Sequence, residues 1–370
     1  MIPSHAFPLA ITRYNSPSSW KSCELIQEQF LKKNQGLYQW NQNSGEKLPE
    51  KIEGLFITDH RWLTPTHLKE LGHCRSMKVT LYLYGDFTVR LRDFQNHMKA
   101  LSGHEVSLVV ASDAQKKLVT KIFPEHADKI SVVPYPCELD QFSFSPEKRK
   151  AFRKKIGLGE EEFLLGFCGR ISAQKGIIEL VKTVLELGDQ FQGKLLLAGP
   201  VHEHPFWQYE STSDGSFLRT LEKLKALCET KVIFLGELSR DELPFFYSAI
   251  DTFVSSGHFH DEDFNLTLSE AIAARRPCLV SRWGGHHRLD GNPLVKFINM
   301  RETDTIYCIS EESLAAAITG KEDSTVSPVP EDRPLSPEQL HRVHTQENFL
   351  RDDSGKFDIE LYRRIYSAYL

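Results

Sequence analysis

No apolar run in this 370-residue chain reaches the roughly 20 residues that a bilayer-spanning helix needs, so no membrane-spanning helix is expected. The opening MIPSHAFPLAITRY lacks a basic stretch followed by an apolar core, and no secretion leader is expected. Cysteine is sparse and odd in number: seven residues, at 23, 74, 137, 168, 228, 278 and 308, scattered along the chain. Secreted disulfide frameworks use paired, regularly spaced cysteines, so reduced thiols in a cytoplasmic protein are the expectation. Helical H-x3-H pairs and paired cysteines are also missing. The close histidines at 202 and 204, 258 and 260, and 286 and 287 therefore argue only weakly for zinc, and no metal site is expected. No internal repeat is evident.

What is present describes an ordinary globular chain, 40% hydrophobic and 26% charged, of a length that suits two domains of roughly 150 to 200 residues. Charge is uneven along it. Residues 1 to 158 hold 23 Lys and Arg against 16 Asp and Glu, a balance of +7, while the whole chain stands at −5, which leaves −12 for the rest. Clustered on one face, that charge would draw the first half toward an anionic membrane or an acidic acceptor, and scattered it would be a solvated surface. KAFRKKIGL, near residue 150, is the densest basic stretch and reads equally as a helix leading into the second domain.

Short apolar runs alternate with helical segments. FPLAI, GLFIT, KVTLYLY, EVSLVVAS and KISVVPYP read as strands, CELIQEQFLKK and DAQKKLVTKIF as helices, and the alternation predicts parallel α/β architecture. VVPYPCELDQFSFSP, residues 132 to 146, has no helical period and marks the domain link, with domains at 1–145 and 146–354. GKEDSTVSPVPEDRPLSPE is polar and proline-rich and reads as a surface loop.

The chemistry concentrates in HDEDFNLTLSEAIAARRPCLVSRWGG, residues 260 to 285. Phe264 onward reads as a helix, with Glu262 and Glu270 at either end of its first turns. Eight helical residues cover about 12 Å, so two carboxylates could grip opposite ends of an elongated polar molecule. The free N–H groups between them favour an anion such as a diphosphate, and the carboxylates accept hydrogen bonds from hydroxyls. Upstream, FLLGFCGRISAQKG is an apolar strand ending in Gly169-Arg170 and turning at Lys175-Gly176. The carboxyl end of such a strand borders a ligand crevice, where two cations can neutralise a diphosphate.

The segment from Glu262 to Glu270 resembles the E-x7-E motif of retaining, GT-B-type glycosyltransferases of family 4, also described as glycosyl transferases group 1. Gly169 to Gly176 resembles the family's G-R-x4-K-G element. GKLLLAGP, KVIFLGELSRDELPFFYSAIDTFVSSG and RPCLVSRWGG follow in the family's order. The resemblance implies two Rossmann-like domains facing across a cleft, with a terminal helix, FDIELYRRIYSAYL, crossing back so that about 355–370 complete the first domain. It implies a nucleotide-diphosphate sugar as donor, a UDP-sugar or GDP-sugar, a glycan, lipid-linked or small-molecule acceptor, and neither a metal nor a separate cofactor. In family terms Arg170 and Lys175 stabilise the diphosphate, backbone N–H groups around Asn265 and Leu266 add to this, Glu270 holds the ribose, Glu262 holds the transferred sugar, and the loop at Leu238 borders the base. A role in polysaccharide biosynthesis is expected, at the inner membrane face or free in the cytoplasm, with no nucleic-acid partner.

The first half departs from the family pattern. ITRYNSPSSWKSCEL has no glycine where a glycine-rich loop is usual, and polar side chains from Asn15, Ser16, Ser18 or Ser19 are candidates to replace it. Tyr84-Gly85-Asp86 stands where a histidine is common, and Asp86 is a candidate to take the acceptor proton or hold the transferred sugar. A strand-end turn is the alternative for Asp86. Two other functions stay open: a GT-B enzyme of another reaction, such as a sugar-nucleotide epimerase or a phosphorylase, and a non-catalytic nucleotide-sugar-binding protein.

Overall fold

A computed structural model describes residues 9–13, 21–34, 36–41, 48, 52–59, 63–84, 87–202, 216–228, 230–258, 262–303, 306–328, 333–346, 349–352 and 354–370. The contacts divide the chain into two units, Met1–Cys137 with Pro334–Phe349, and Glu138–Arg333 with Leu350–Leu370. The expected link at 132–146 contains this boundary.

The first unit is a six-stranded sheet. Its strands are β1 (Leu9–Arg13), β2 (Tyr38–Asn41), β3 (Gly54–Ile57), β4 (Lys78–Tyr82), β5 (Glu105–Val110) and β6 (Ile130–Val132), in the order β2-β1-β3-β4-β5-β6, all parallel. Five of these lie where the apolar runs placed them. β2, of sequence YQWN, was not expected, because a four-residue edge strand with two polar residues carries no apolar run. Helices Lys21–Lys33 and Asp113–Ile122 occupy the two segments read as helical.

The second unit repeats the scheme with β7 (Leu164–Cys168), β8 (Lys194–Ala198), β9 (Val232–Gly236), β10 (Thr252–Ser255), β11 (Cys278–Ser281) and β12 (Val295–Ile298). These are also parallel, in the order β12-β11-β10-β7-β8-β9. Every residue of β7 and β11 is buried, as a strand covered on both faces requires. The order reverses between β7 and β10, and in an open α/β sheet the loops leaving two such strands at their carboxyl ends frame the ligand crevice.

The terminal region departs from expectation. The segment belonging to the first unit is 334–349, not 355–370. Its helix Pro337–Thr345 sets the His344 ring flat on Phe123, centroids 4.7 Å apart, and His344 Nε2 lies 2.8 Å from the Ile122 carbonyl. This helix falls at the end of the stretch read as a loop, and its signature was present: Ser336 and Gln339 form a capping box around Pro337. Residues 350–370 belong instead to the second unit, where the Tyr362 hydroxyl accepts from the Tyr307 backbone N–H at 3.2 Å and Arg363 pairs with Glu302. Among the described residues no helix is long and apolar enough to cross a membrane, and Cys74, Cys137, Cys168, Cys228, Cys278 and Cys308 are free thiols.

Candidate functional site

The loops that leave β7 and β10 at the switch point meet. The first runs through Gly169, Arg170 and Lys175 to Gly176, and the second through Ser256, Gly257 and His258 to the segment Glu262–Asn265. Gly176 makes the approach possible. Its φ is +63°, and a Cβ there would lie 2.4 Å from the Ser256 carbonyl oxygen, so the glycine of the K-G pair is required by the neighbouring loop. Ser256 Oγ in turn donates to the Lys175 carbonyl at 2.7 Å. The result is an ion pair: Lys175 Nζ donates to Glu262 Oε2 at 2.5 Å, with the Glu262 side chain 4% exposed.

Burial raises the affinity of the Glu262 carboxyl for a proton, but Lys175, His286 and Arg170 outweigh it and hold the group below the usual carboxylate range. His286 is itself fully buried, and burial, against the opposing pull of Glu262, brings its imidazole down to about 4. It is therefore neutral near pH 7, where Lys175 and Arg170 are the cations that face Glu262.

The helix that follows is Leu266–Ala273, starting two residues later than the apolar pattern suggested. Glu262 thus lies in the preceding loop and only Glu270 lies on the helix, so the 12 Å helical span between the carboxylates does not apply. Asn265 caps the helix, accepting from the Leu268 N–H at 3.1 Å and the Thr267 hydroxyl at 2.9 Å. Its φ of +67° is uncommon for a residue with a Cβ. The amide is held from behind, where Asn265 Nδ2 donates to Ser255 Oγ at 2.7 Å and to His286 Nε2 at 3.1 Å. His286 Nδ1, 3.0 Å from the Ser281 carbonyl, carries the proton in the tautomer these partners require. Asn265 is thereby the residue that orients the helix N-terminus, while Leu266 supplies the first helical N–H.

Glu270 has a separate set of partners, none of them anticipated. Arg240 Nη1 donates to Oε1 at 2.5 Å and the Tyr247 hydroxyl to Oε2 at 2.9 Å. Arg240 comes from the loop after β9 that also holds Leu238, and its guanidinium lies over the Phe142 ring, 4.7 Å from the centroid. Leu238 itself packs, partly buried, against the core. Burial pushes the Glu270 carboxyl above its ordinary range in spite of Arg240 and Tyr247. The two glutamates are shifted in opposite directions.

One consequence is measurable. A carboxyl whose folded-state proton affinity is raised contributes stability at acid pH that is lost as pH rises through its folded value. Glu270→Gln, which keeps an acceptor for Arg240 and Tyr247 without the buried charge, should raise the thermal midpoint at pH 7. The gain should shrink when both proteins are melted at pH 4, and a variant that melts lower than wild type at pH 7 would contradict the burial argument.

Arg170, Lys175, Glu262 and Asn265 therefore belong to adjoining loops, with Leu266 at the helix start beside them, whereas Glu270 is bound by Arg240, from the loop that also holds Leu238. His258 is buried, and burial lowers its proton affinity. Asp86, Asn15, Ser16, Ser18, Ser19, His204 and His260 lie outside the described residues. Among the described residues no group of three or more His, Cys, Asp or Glu side chains could hold a metal ion.

Comparison with known proteins follows the same geography. Residues 148–289, the span carrying both loops, match the family model "Glycosyl transferases group 1". An uncharacterized glycosyltransferase of Methanocaldococcus jannaschii is 29% identical over 225 residues, covering 59% of this chain and 51% of that protein. A D-inositol 3-phosphate glycosyltransferase of Xylanimonas cellulosilytica is 27% identical over 194 residues, covering 49% of this chain and 43% of its own length. The chain thus spans about half the length of the curated relatives it matches. In three dimensions the Anabaena protein HepE, solved with UDP and glucose, superposes with a TM-score of 0.60 at 14% identity, covering 85% of this chain and 89% of HepE. The fold is that of the GT-B glycosyltransferases, built from two Rossmann-like units.

Proposed function

We propose that this protein is a retaining glycosyltransferase of the family 4 type, moving a sugar from a nucleotide-diphosphate sugar to a hydroxyl of a glycan, lipid-linked or small-molecule acceptor. The observation that carries the reading is the meeting of Lys175 and Glu262 at the strand-order reversal of the second sheet, beside the N-terminus of helix Leu266–Ala273. Charge develops on the diphosphate as the glycosidic bond breaks, and fixed cations and N–H donors act on that charge without reorganising. Arg170 and Lys175 take this role with the backbone of Asn265 and Leu266, Glu262 accepts from hydroxyls of the transferred sugar, and Glu270 accepts from the ribose. Binding of the donor then requires Lys175 to turn toward phosphate and Arg240 to share Glu270.

Retention follows if the acceptor attacks on the face the diphosphate leaves, with a diphosphate oxygen taking the acceptor proton. No protein nucleophile is assigned. A proton-accepting or sugar-holding role for Asp86 rests on its position after β4 in the sequence. The reading invokes no metal and no separate cofactor, and it places the protein in the cytoplasm, with the basic first half as the face for any peripheral membrane contact. HepE, similar in fold, was solved with UDP and glucose and with UDP-glucose, which makes uridine the first base to try.

The test is thermal unfolding against UDP, GDP, ADP and their sugars, beside the Arg170→Ala variant. A ligand at a hundred times its dissociation constant adds about 2.7 kcal/mol of stability, and the shift should appear with one nucleotide class and vanish in the variant. A shift without transfer or hydrolysis of the sugar would convert the reading to a binding protein. No shift with any nucleotide would overturn it.

A further inference from the structure

The segment Glu262–Asn265 is irregular backbone, and a carboxylate on such a segment keeps its place only if the segment is anchored from elsewhere. Lys175 cannot be that anchor, since the proposed reaction draws it toward phosphate. An anchor does come from the last residues of the described chain. The hydroxyl of Tyr369 donates to Asp263 Oδ1 at 2.5 Å, across 106 positions of sequence, with Asp263 3% and Tyr369 0% exposed. A second bond runs from the Gly285 N–H to the Glu262 carbonyl at 2.7 Å.

The Gly284-Gly285 pair joins the two anchors. A Cβ on Gly284, whose φ is +56°, would meet the Glu262 carbonyl oxygen at 2.5 Å and the Tyr369 ring at 2.9 Å, and one on Gly285 would meet the Asp263 carbonyl oxygen at 1.8 Å. The turn after β11 is therefore bare because the loop and the Tyr369 ring both lie against it. The ring is fixed in turn by an edge contact with Trp283, centroids 5.5 Å apart, and Trp283 is fully buried. Glu262 and Asp263, adjacent in the chain, are thus held by different elements, one by the loop after β7 and the other by Tyr369.

We propose that Tyr369 is a positioning residue, which holds the Asp263 carboxylate and so keeps the neighbouring Glu262 carboxylate at the place where the transferred sugar binds. This rests on the role proposed above for Glu262. A phenol buried against a carboxylate one residue from the site does not contact the donor itself. Its loss should therefore be read in the sugar-dependent part of binding and in kcat, while the nucleotide-diphosphate part is spared.

The experiment compares wild type, Tyr369→Phe, Asp263→Ala, Asp263→Asn and Glu262→Gln for affinity toward the nucleoside diphosphate and toward its sugar, and for turnover. Tyr369→Phe changes one oxygen and should leave the folded protein and its diphosphate affinity within about two-fold of wild type, while kcat falls about 10-fold, the scale of one hydrogen bond to a charged group. Asp263→Ala should match it, and Asp263→Asn, which keeps an acceptor for the phenol, should restore most of the rate. Wild type that ignores every nucleotide sugar, or Glu262→Gln with unchanged sugar affinity and turnover, would remove the premise. With that premise standing, Tyr369→Phe turnover equal to wild type would overturn the positioning role. So would equal losses of diphosphate and sugar affinity, which mark general loosening.

Discussion

Lys175→Ala should lower turnover roughly 10²- to 10³-fold, the scale for removing one preorganised donor from a site where charge develops. Two consequences separate within that loss. The leaving diphosphate would lack a cation, which affects kcat, and Glu262, 4% exposed, would lose the partner that holds it ionised. An unpartnered buried charge is costly, on the order of 2 kcal/mol. The single variant should therefore melt lower than wild type, and the double variant Lys175→Ala with Glu262→Gln should recover much of that stability while staying inactive. Steady-state kinetics beside calorimetry on wild type, the two single variants and the double variant reads both effects. If the double variant melts no higher than the single, Glu262 is not the residue left stranded; if Lys175→Ala keeps wild-type kcat, the cation has no part in the reaction.

The largest stability effect lies away from the site. Arg153, fully buried on helix Pro146–Lys155, donates to the carbonyls of Ala249, Gly159, Glu160 and Glu162 and to Asp251 Oδ2 at 2.8 Å. Those acceptors belong to chain segments nearly a hundred residues apart, so one guanidinium joins the entrance of the second unit to the segment between helix Leu243–Ala249 and β10. Removing one partner of such a buried charged network costs about 3 to 5 kcal/mol, and lysine cannot reproduce the planar fork. Arg153→Met should lower the unfolding midpoint by about 10 °C, at roughly 2 to 4 °C per kcal/mol for a unit of this size. A shift under about 2 °C would show that water replaces the guanidinium at little cost. The same geometry revises the basic stretch KAFRKKIGL. Arg153 is internal and pairs with Asp251, and Lys155 pairs with Glu242, so two of the four cations of that stretch are answered within the unit, as is the preceding Arg149 by Asp251 and Glu160.

How much was legible can be judged from particular elements. The strand ending at Cys168 and the loop to Gly176 were readable because an apolar run broken only by Gly166 and followed by Gly-Arg and Lys-Gly is a local pattern. The helix carrying Glu270 was readable for the same reason, though its start was misplaced: Phe264 continues the apolar pattern, while Asn265, a good cap, ends it on the N-terminal side. The helix Pro337–Thr345 was missed although Ser336, Pro337 and Gln339 mark its start, because the polar, proline-rich stretch before it dominated the reading. β2 had no such mark.

By itself the sequence determined the two α/β units, the positions of most strands and the two loops that carry Lys175 and Glu262, because apolar runs, turn residues and motif spacing are written within a few residues of one another. Tertiary structure alone decided which side chains answer the glutamates. Arg240 and Tyr247 reach Glu270 across 30 and 23 positions, Tyr369 reaches Asp263 across 106, and the segment returning to the first unit is 334–349. A hydrogen bond between distant positions leaves no period and no spacing in the chain. It exists only where parallel strands bring their carboxyl ends to one edge, and there burial in a low-dielectric interior decides which of the neighbouring groups pair.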